Sequence, residues 1–464
     1  MSGDLLRQVF KKPPPLPYDP DLDDLDDEAA AAQELRSGDM LPPLGATTTR
    51  PLSFAKGGGA GGAGASGRYA PLEWSEFFET KRTIPIYPST SSLSSSSLTT
   101  ISDSNSGRPH ETRRGQEEST DSSAASTSRE EEEGEEEPEI VFNVYETRGK
   151  PGSPLFVLHH GAAHCGLSFA LTADRIRALA GDSVSILAFD MRGHGETRSK
   201  EEYNLSLERL ATDLKNVLEA AYDHQLPDEI VLVGHSAGGS VVAEAASRNM
   251  IPNVLGVALL DIVESFAIEA LANIHGWLER RPNQFRSLDK VIQWGVKSGT
   301  VRNLESARVS FPGMVVRKKP ESTTSSSGGD DATTYLWRTD LLASEKYWEL
   351  WFTGLTAKFL SIKTAKLLVL AGTDRLDKDM TIAQMQGKFQ LLVFPNSGHA
   401  VQEDEPGRMA QELLQFLKRN ERLVLPSHPF MPQHSSGGSP TSSSTSLHNT
   451  QTLAMPRPAS PRSS

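Results

Sequence analysis

The chain has 464 residues and a formal net charge of −13, and only 37 % of it is hydrophobic, less than a wholly globular chain carries. An acidic balance without a stripe of Lys and Arg argues against nucleic acid as a partner, because phosphate binding needs clustered cations. The single cysteine, Cys165, excludes an intramolecular disulfide and fits a reducing compartment, cytosol or nucleus; the most apolar stretch is too short to span a bilayer, so no membrane partner is expected.

Segment 1–67 is rich in Pro, Asp, Ala and Gly, lacks hydrophobic periodicity and is expected to be disordered; it holds no apolar run of the secretory-signal kind. An apolar island follows at 68–81, where Trp74, Phe77 and Phe78 share one helical side and predict a segment that packs on the domain. Residues 82–138 are Ser-rich and end in an acidic run, which reads as a solvated, disordered insert.

Order is expected over 139–422. Strands are predicted at 140–145, 155–158, 184–189, 229–233, 255–260, 366–370 and 391–394, with helices at 205–222, 240–248 and 406–419. This alternation implies an α/β fold with a largely parallel sheet covered on both faces. Between 262 and 365 the pattern loosens into mostly helical, Trp-rich segments, with a Ser/Gly-rich loop at 318–332 expected to be disordered. An insertion there sits over the carboxyl ends of the strands, where open α/β sheets place their sites, so it reads as a cap. The tail 423–464 is Ser/Pro-rich and expected to be disordered.

Gly234-His235-Ser236-Ala237-Gly238 follows a run of four aliphatic residues and precedes a predicted helix. That context makes it a G-x-S-x-G nucleophile elbow, which exposes a serine hydroxyl on a tight strand-to-helix turn, as in the α/β-hydrolase fold. A tetrahedral ester intermediate needs N–H donors for its oxyanion. Ala237 supplies one; the turn His160-Gly161-Ala162-Ala163, after an earlier strand, supplies the other, at Ala162. A zinc reading of His159, His160 and His164 fails for want of a carboxylate placed to complete the set, and no metal or organic cofactor is expected. His399, in the loop after the last strand, is the candidate base, whereas His194 and His235 read as structural. Two acids compete to orient it: Asp374, after the strand at 366–370, and Asp261, after the strand at 255–260. The commonest position of the acid in this fold favours Asp374.

The chain also resembles the protein phosphatase methylesterases, in Leu259-Leu-Asp-Ile-Val-Glu264, Arg281-Pro-Asn-Gln-Phe-Arg-Ser-Leu288, Trp294-Gly-Val-Lys-Ser-Gly299, Arg302-Asn-Leu-Glu-Ser-Ala-Arg308, Gly372-Thr-Asp-Arg-Leu-Asp-Lys-Asp379, Gln384-Met-Gln-Gly-Lys-Phe389 and Gly398-His-Ala-Val-Gln-Glu-Asp404, together with the Trp74–Glu79 island. The resemblance runs from about Tyr69 to Arg422, interrupted by the insert. It implies a serine carboxylesterase that removes the methyl ester from the C-terminal leucine of the protein phosphatase 2A catalytic subunit, which would be substrate and partner. It also implies that the acid is Asp261, with Asp374 second. One departure is that the family's His-Gly-Gly-Gly-like turn is His160-Gly161-Ala162-Ala163 here. Two rivals remain open: a broad esterase for lipids or xenobiotics under an aromatic cap (Trp337, Tyr347, Trp348, Trp351), and a protein that binds the phosphatase without turnover.

Overall fold

In a computed structural model, the described residues are 67–88, 137–318, 333–372 and 375–421. Of the stretches expected to be disordered, 1–66, 89–136, 319–332 and 423–464 lie outside them, as does Asp374.

The strands are β1 (Thr80–Ile86), β2 (Ile140–Thr147), β3 (Leu155–His159), β4 (Ser185–Phe189), β5 (Arg198–Ser199), β6 (Ile230–His235), β7 (Val254–Leu260), β8 (Gln284–Phe285), β9 (Val315–Lys318), β10 (Thr334–Trp337), β11 (Ala365–Leu370) and β12 (Gln390–Val393). The principal helices are α1 (Ala170–Ala180), α2 (Leu207–Ala221), α3 (Ala237–Ser247), α4 (Glu264–Leu271), α5 (Ile274–Arg280), α6 (Leu288–Lys297), α7 (Leu304–Ser310), α8 (Glu345–Phe352), α9 (Leu355–Ser361), α10 (Lys378–Met385), α11 (Val401–Asp404) and α12 (Pro406–Asn420). The main sheet runs β1-β2-β4-β3-β6-β7-β11-β12, with β5 on β2. From β4 to β12 every pairing is parallel, while β1, β2 and β5 run antiparallel at one edge.

Parallel strands with both faces covered need no polar alternation, and β6 illustrates it. Ile230 and Leu232 enter one core cluster with α2 and α3, and Val231 and Val233 enter the opposite cluster with α1 and α12. The closing helix α12 is anchored by Met409, Leu413, Phe416 and Leu417, all buried at the three- and four-residue spacing of one helical face.

Two expectations are corrected. The insert was expected to begin at 82, yet β1 extends to Ile86 and pairs with β2 from Thr80↔Glu146 to Ile86↔Ile140. It escapes the eye because it is an edge strand in which only Ile84 is buried and Pro85 breaks the pattern, which edge strands tolerate. The cap was expected to be mostly helical, but it also holds a three-stranded antiparallel sheet, β8-β10-β9, whose strands are two to four residues long. Ahead of β1, the aromatic island packs on the domain: Phe78 is buried with its ring 5.5 Å from that of Tyr145, and Trp74 lies 6.4 Å from the same ring.

Candidate active site

At the end of β6 the chain turns into α3 through Ser236, whose φ of 51° and ψ of −125° lie outside the regions L-residues prefer. The turn is held by Ser236 N–H donating to Leu260 C=O (3.0 Å) and Gly239 N–H donating to Ser236 C=O (2.8 Å). Its small residues have a steric cause. A Cβ at Gly238 would lie 2.4 Å from the His160 carbonyl oxygen and 2.5 Å from that of His159, and one at Gly161 would lie 2.9 Å from Ser236 Cβ. The elbow and the turn after β3 therefore touch backbone to backbone.

That second turn is braced by histidines. His160 Nδ1–H donates to Gly161 C=O (2.8 Å) and its Nε2 accepts from Met191 N–H (2.9 Å). His194 Nδ1–H donates to Arg192 C=O (2.9 Å) and its Nε2 accepts from Ala163 N–H (3.0 Å). Burial pushes His160 well below the usual histidine range and His194 down to about 3, so both stay neutral and keep the lone pairs these bonds require. Below them Asp190 accepts from Gly166 N–H, Asn143 Nδ2 and Glu196 N–H at 2.7–2.8 Å, and the buried Arg192 pairs with Asp213 through two bonds of 2.8 and 2.9 Å. The left-handed position of the turn falls on Ala163, with φ 64°, at a cost of about 1–2 kcal/mol for a residue with a Cβ. His164 Nδ1–H donates to Ala162 C=O (3.0 Å), which sets the plane of the following peptide.

His399 sits between β12 and α11. Its Nδ1 lies 2.8 Å from Oδ2 of the buried Asp261, which itself has φ 52° at the end of β7. Asp261 Oδ1 accepts from Ala371 N–H (2.9 Å), and Arg375 forms an ion pair with Oδ2. Burial raises the Asp261 carboxyl, but the hydrogen bond and charge of His399, then the Arg375 charge and the Ala371 N–H, outweigh it and leave it below the usual carboxylate range. The His399 loop is pinned: Asp404 accepts from Gly398 N–H (2.6 Å) and Arg302 N–H (2.7 Å), and His235 Nε2–H donates to His399 C=O (3.0 Å). His235, read in the sequence as merely packed, is thus a strut for His399.

These groups meet in one cavity of about 410 Å³. Ala162, Ser236, Ala237, Asp261 and His399 all line it, under a roof of cap residues that includes Trp337, Trp348 and Trp351. Trp348 and Trp351 are at the same time buried in the core between cap and sheet, and Tyr347 is not part of the lining. Glu264 accepts from Gly354 and Thr356 N–H at 2.8 and 2.9 Å, and Asp377 caps α10 through Met380 N–H, so these two motif carboxylates are structural. Sequence reasoning missed His164 and Glu403: Glu403 is fully buried, accepts from Ser310 Oγ (2.6 Å) and has Oε1 3.9 Å from His164 Nε2. The only signal for Glu403 was its place in the Gly398–Asp404 motif, and His164 had drawn notice only in the zinc reading. Among the described residues no group of three or more His, Cys, Asp or Glu is arranged to hold a metal ion, and no helix is long and apolar enough to cross a membrane.

The model of the alpha/beta hydrolase family matches residues 156–412. Three proteins named protein phosphatase methylesterase 1 are similar to this chain. That of Gibberella zeae is 44 % identical over 298 residues, covering 62 % of this chain and 72 % of its own. That of Aspergillus fumigatus is 44 % identical over 301 residues, covering 62 % and 69 %. That of Homo sapiens is 42 % identical over 309 residues, covering 60 % and 79 %.

Proposed function

The chain belongs to the α/β-hydrolase family and, within it, to the protein phosphatase methylesterases, and we propose that it demethylates the C-terminal leucine methyl ester of the protein phosphatase 2A catalytic subunit with Ser236 as nucleophile, His399 as base and Asp261 as the orienting acid. The observation that carries the assignment of roles is the 2.8 Å contact from His399 Nδ1 to the buried Asp261, at a cavity that Ser236 also lines. In chain order the three run serine, acid, histidine, as this fold requires.

Ser236 Oγ attacks the ester carbonyl carbon while His399 Nε2 takes the hydroxyl proton. Nδ1–H of the resulting imidazolium donates to Asp261, which holds the tautomer and balances the charge. The carbonyl oxygen becomes an oxyanion and accepts N–H bonds from Ala237 and Ala162. Ala163 N–H is already engaged by His194, so the turn offers the donor before it. The intermediate collapses, the C–OCH₃ bond breaks, and His399 returns its proton to the departing methoxide as methanol leaves. Water, deprotonated by His399, then attacks the acyl-enzyme and restores Ser236, releasing the free carboxylate. Apart from substrate and water, the scheme draws on side chains and backbone N–H groups of the chain itself.

The substrate ester is carried on a protein, so the phosphatase must present its C-terminal tail into the cavity, with the face around its own active site against the cap. The lone cysteine, buried as a thiol, supports a reducing compartment, cytosol or nucleus. The test is methanol release from carboxymethylated phosphatase by the purified protein. Ser236→Ala should abolish it and also abolish labelling by an organophosphonate; full labelling of that variant would mean a different nucleophile.

A further inference from the structure

Arg281 opens one of the motifs that the chemistry above leaves unused. Among the described residues lining the cavity it is the one with a permanent positive charge. Two indoles from separate cap elements hold its guanidinium: the ring of Trp337 on β10 is 4.4 Å away and that of Trp277 on α5 is 5.4 Å away. The arrangement is built rather than incidental. Trp337 Nε1–H donates to Pro282 C=O (2.7 Å), which ties β10 to the residue after the arginine, and Arg281 N–H donates to Leu278 C=O (3.2 Å).

The cation is also unpaired among the described residues. Among the described residues no carboxylate forms an ion pair with it and none accepts a hydrogen bond from its side chain; Asp340 acts on it only from a distance. Burial among apolar neighbours pushes Arg281 down to about 10, so it remains charged at neutral pH. Cation–π contact stabilises the charge but leaves the N–H donors unsatisfied. A half-buried guanidinium with no acceptor among the described residues carries a cost, and an incoming anion would offset it.

We propose that Arg281 is a specificity residue that binds a carboxylate side chain of the substrate, within the peptide segment that precedes the esterified C-terminal residue. This inference rests on the proposed function. With the ester carbonyl at Ser236 and only a methyl group leaving, the rest of the cavity must be filled from the acyl side, by the residues of the peptide. A carboxylate there meets a planar donor fork in a low-dielectric pocket, where such pairs discriminate strongly.

The test uses the full chain and synthetic hexapeptide methyl esters ending in leucine. A single Asp is walked through the five preceding positions, with the all-Asn peptide as reference. The expected result is one position at which Asp raises kcat/KM by about 10- to 100-fold over Asn. In Arg281→Met that ratio should fall to near one, and in Arg281→Lys it should be intermediate, since the charge remains without the fork. The wild-type walk needs no variant to fold. If the wild type hydrolyses the all-Asn peptide but no Asp position gains, or if Arg281→Met slows Asp and Asn peptides equally, the inference is overturned and the proposed function stands. If the wild type hydrolyses none of the peptide esters but releases methanol from carboxymethylated phosphatase, the inference is overturned and the proposed function stands; if it releases methanol from neither, the proposed function falls and the inference with it.

Discussion

Asp261 holds two cations on one carboxylate: the imidazole of His399 at 2.8 Å and the guanidinium of Arg375 on the same oxygen. Replacing it with Asn keeps an acceptor for Ala371 N–H but removes the charge that both partners use. Asp261→Asn should therefore lower the single-turnover deacylation rate by at least about a hundredfold, by analogy with triads in which the wrong tautomer is left behind. Because Arg375 loses its partner, stability should also fall, by about 1–3 kcal/mol. A variant that loses stability without losing rate would remove Asp261 from the chemistry. Glu403 makes a separate prediction. Burial, and secondarily the neighbouring Asp404 charge, push its carboxyl well above the usual 4.5 despite the Ser310 hydroxyl, so the folded chain holds this proton to higher pH than the unfolded chain does. Above 4.5 the unfolded chain releases that proton while the folded chain keeps it, so this group makes stability fall as pH rises, until the folded value is passed. The slope is at most about 1.4 kcal/mol per pH unit. Glu403→Gln removes the titration but keeps the shape. Its melting temperature should exceed the wild type's at pH 8, with the gap narrowing at pH 5; parallel melting curves at the two pH values would count against it.

The elements meet at the carboxyl ends of β3, β6 and β7, where the turns after them lie against one another. Gly161 is one of the points of close approach, with room for a hydrogen but not for a Cβ beside Ser236. In Gly161→Ala the turn after β3 should back away from the elbow by a few tenths of an ångström. Oxyanion donors act over short, directed distances, so kcat should drop by roughly tenfold or more while KM changes little. Circular dichroism would establish that the fold persists, and a fall in KM-dominated terms alone would contradict the assignment. The sequence carried the glycine but not its reason. A G-x-S-x-G match names the strand and helix on either side; it does not name the carbonyls of His159 and His160 that Gly238 must clear.

At the scale of the molecule, β1 and the aromatic island close the antiparallel edge of the sheet. Phe78 and Ile84 are buried there against the domain, and the burial of two such side chains contributes about 3–6 kcal/mol. A shortened chain running 67–421 is expected to unfold cooperatively and to retain esterase activity. One that begins at 137 should lose about that much stability in a denaturant melt, and should expose Tyr145, seen as a change in tyrosine and tryptophan fluorescence. Equal stability of the two shortened chains would show that β1 adds nothing.

What the sequence determined by itself is what short-range physics writes into it. Aliphatic runs such as Ile230 to Val233 specify strands covered on both faces, the spacing in 406–419 specifies an amphipathic helix, and small residues around Ser236 specify a tight turn. His399 was legible because a base belongs to the loop after the last strand. Tertiary structure decided the matters that depend on pairs distant in the chain. It set Asp261 against His399, where position in the fold alone had favoured Asp374; it paired β1 with β2 across the insert; and it placed Arg281 between two tryptophans. Hydrophobic periodicity encodes which face of an element is buried, and it says nothing about which charged group from another element arrives there.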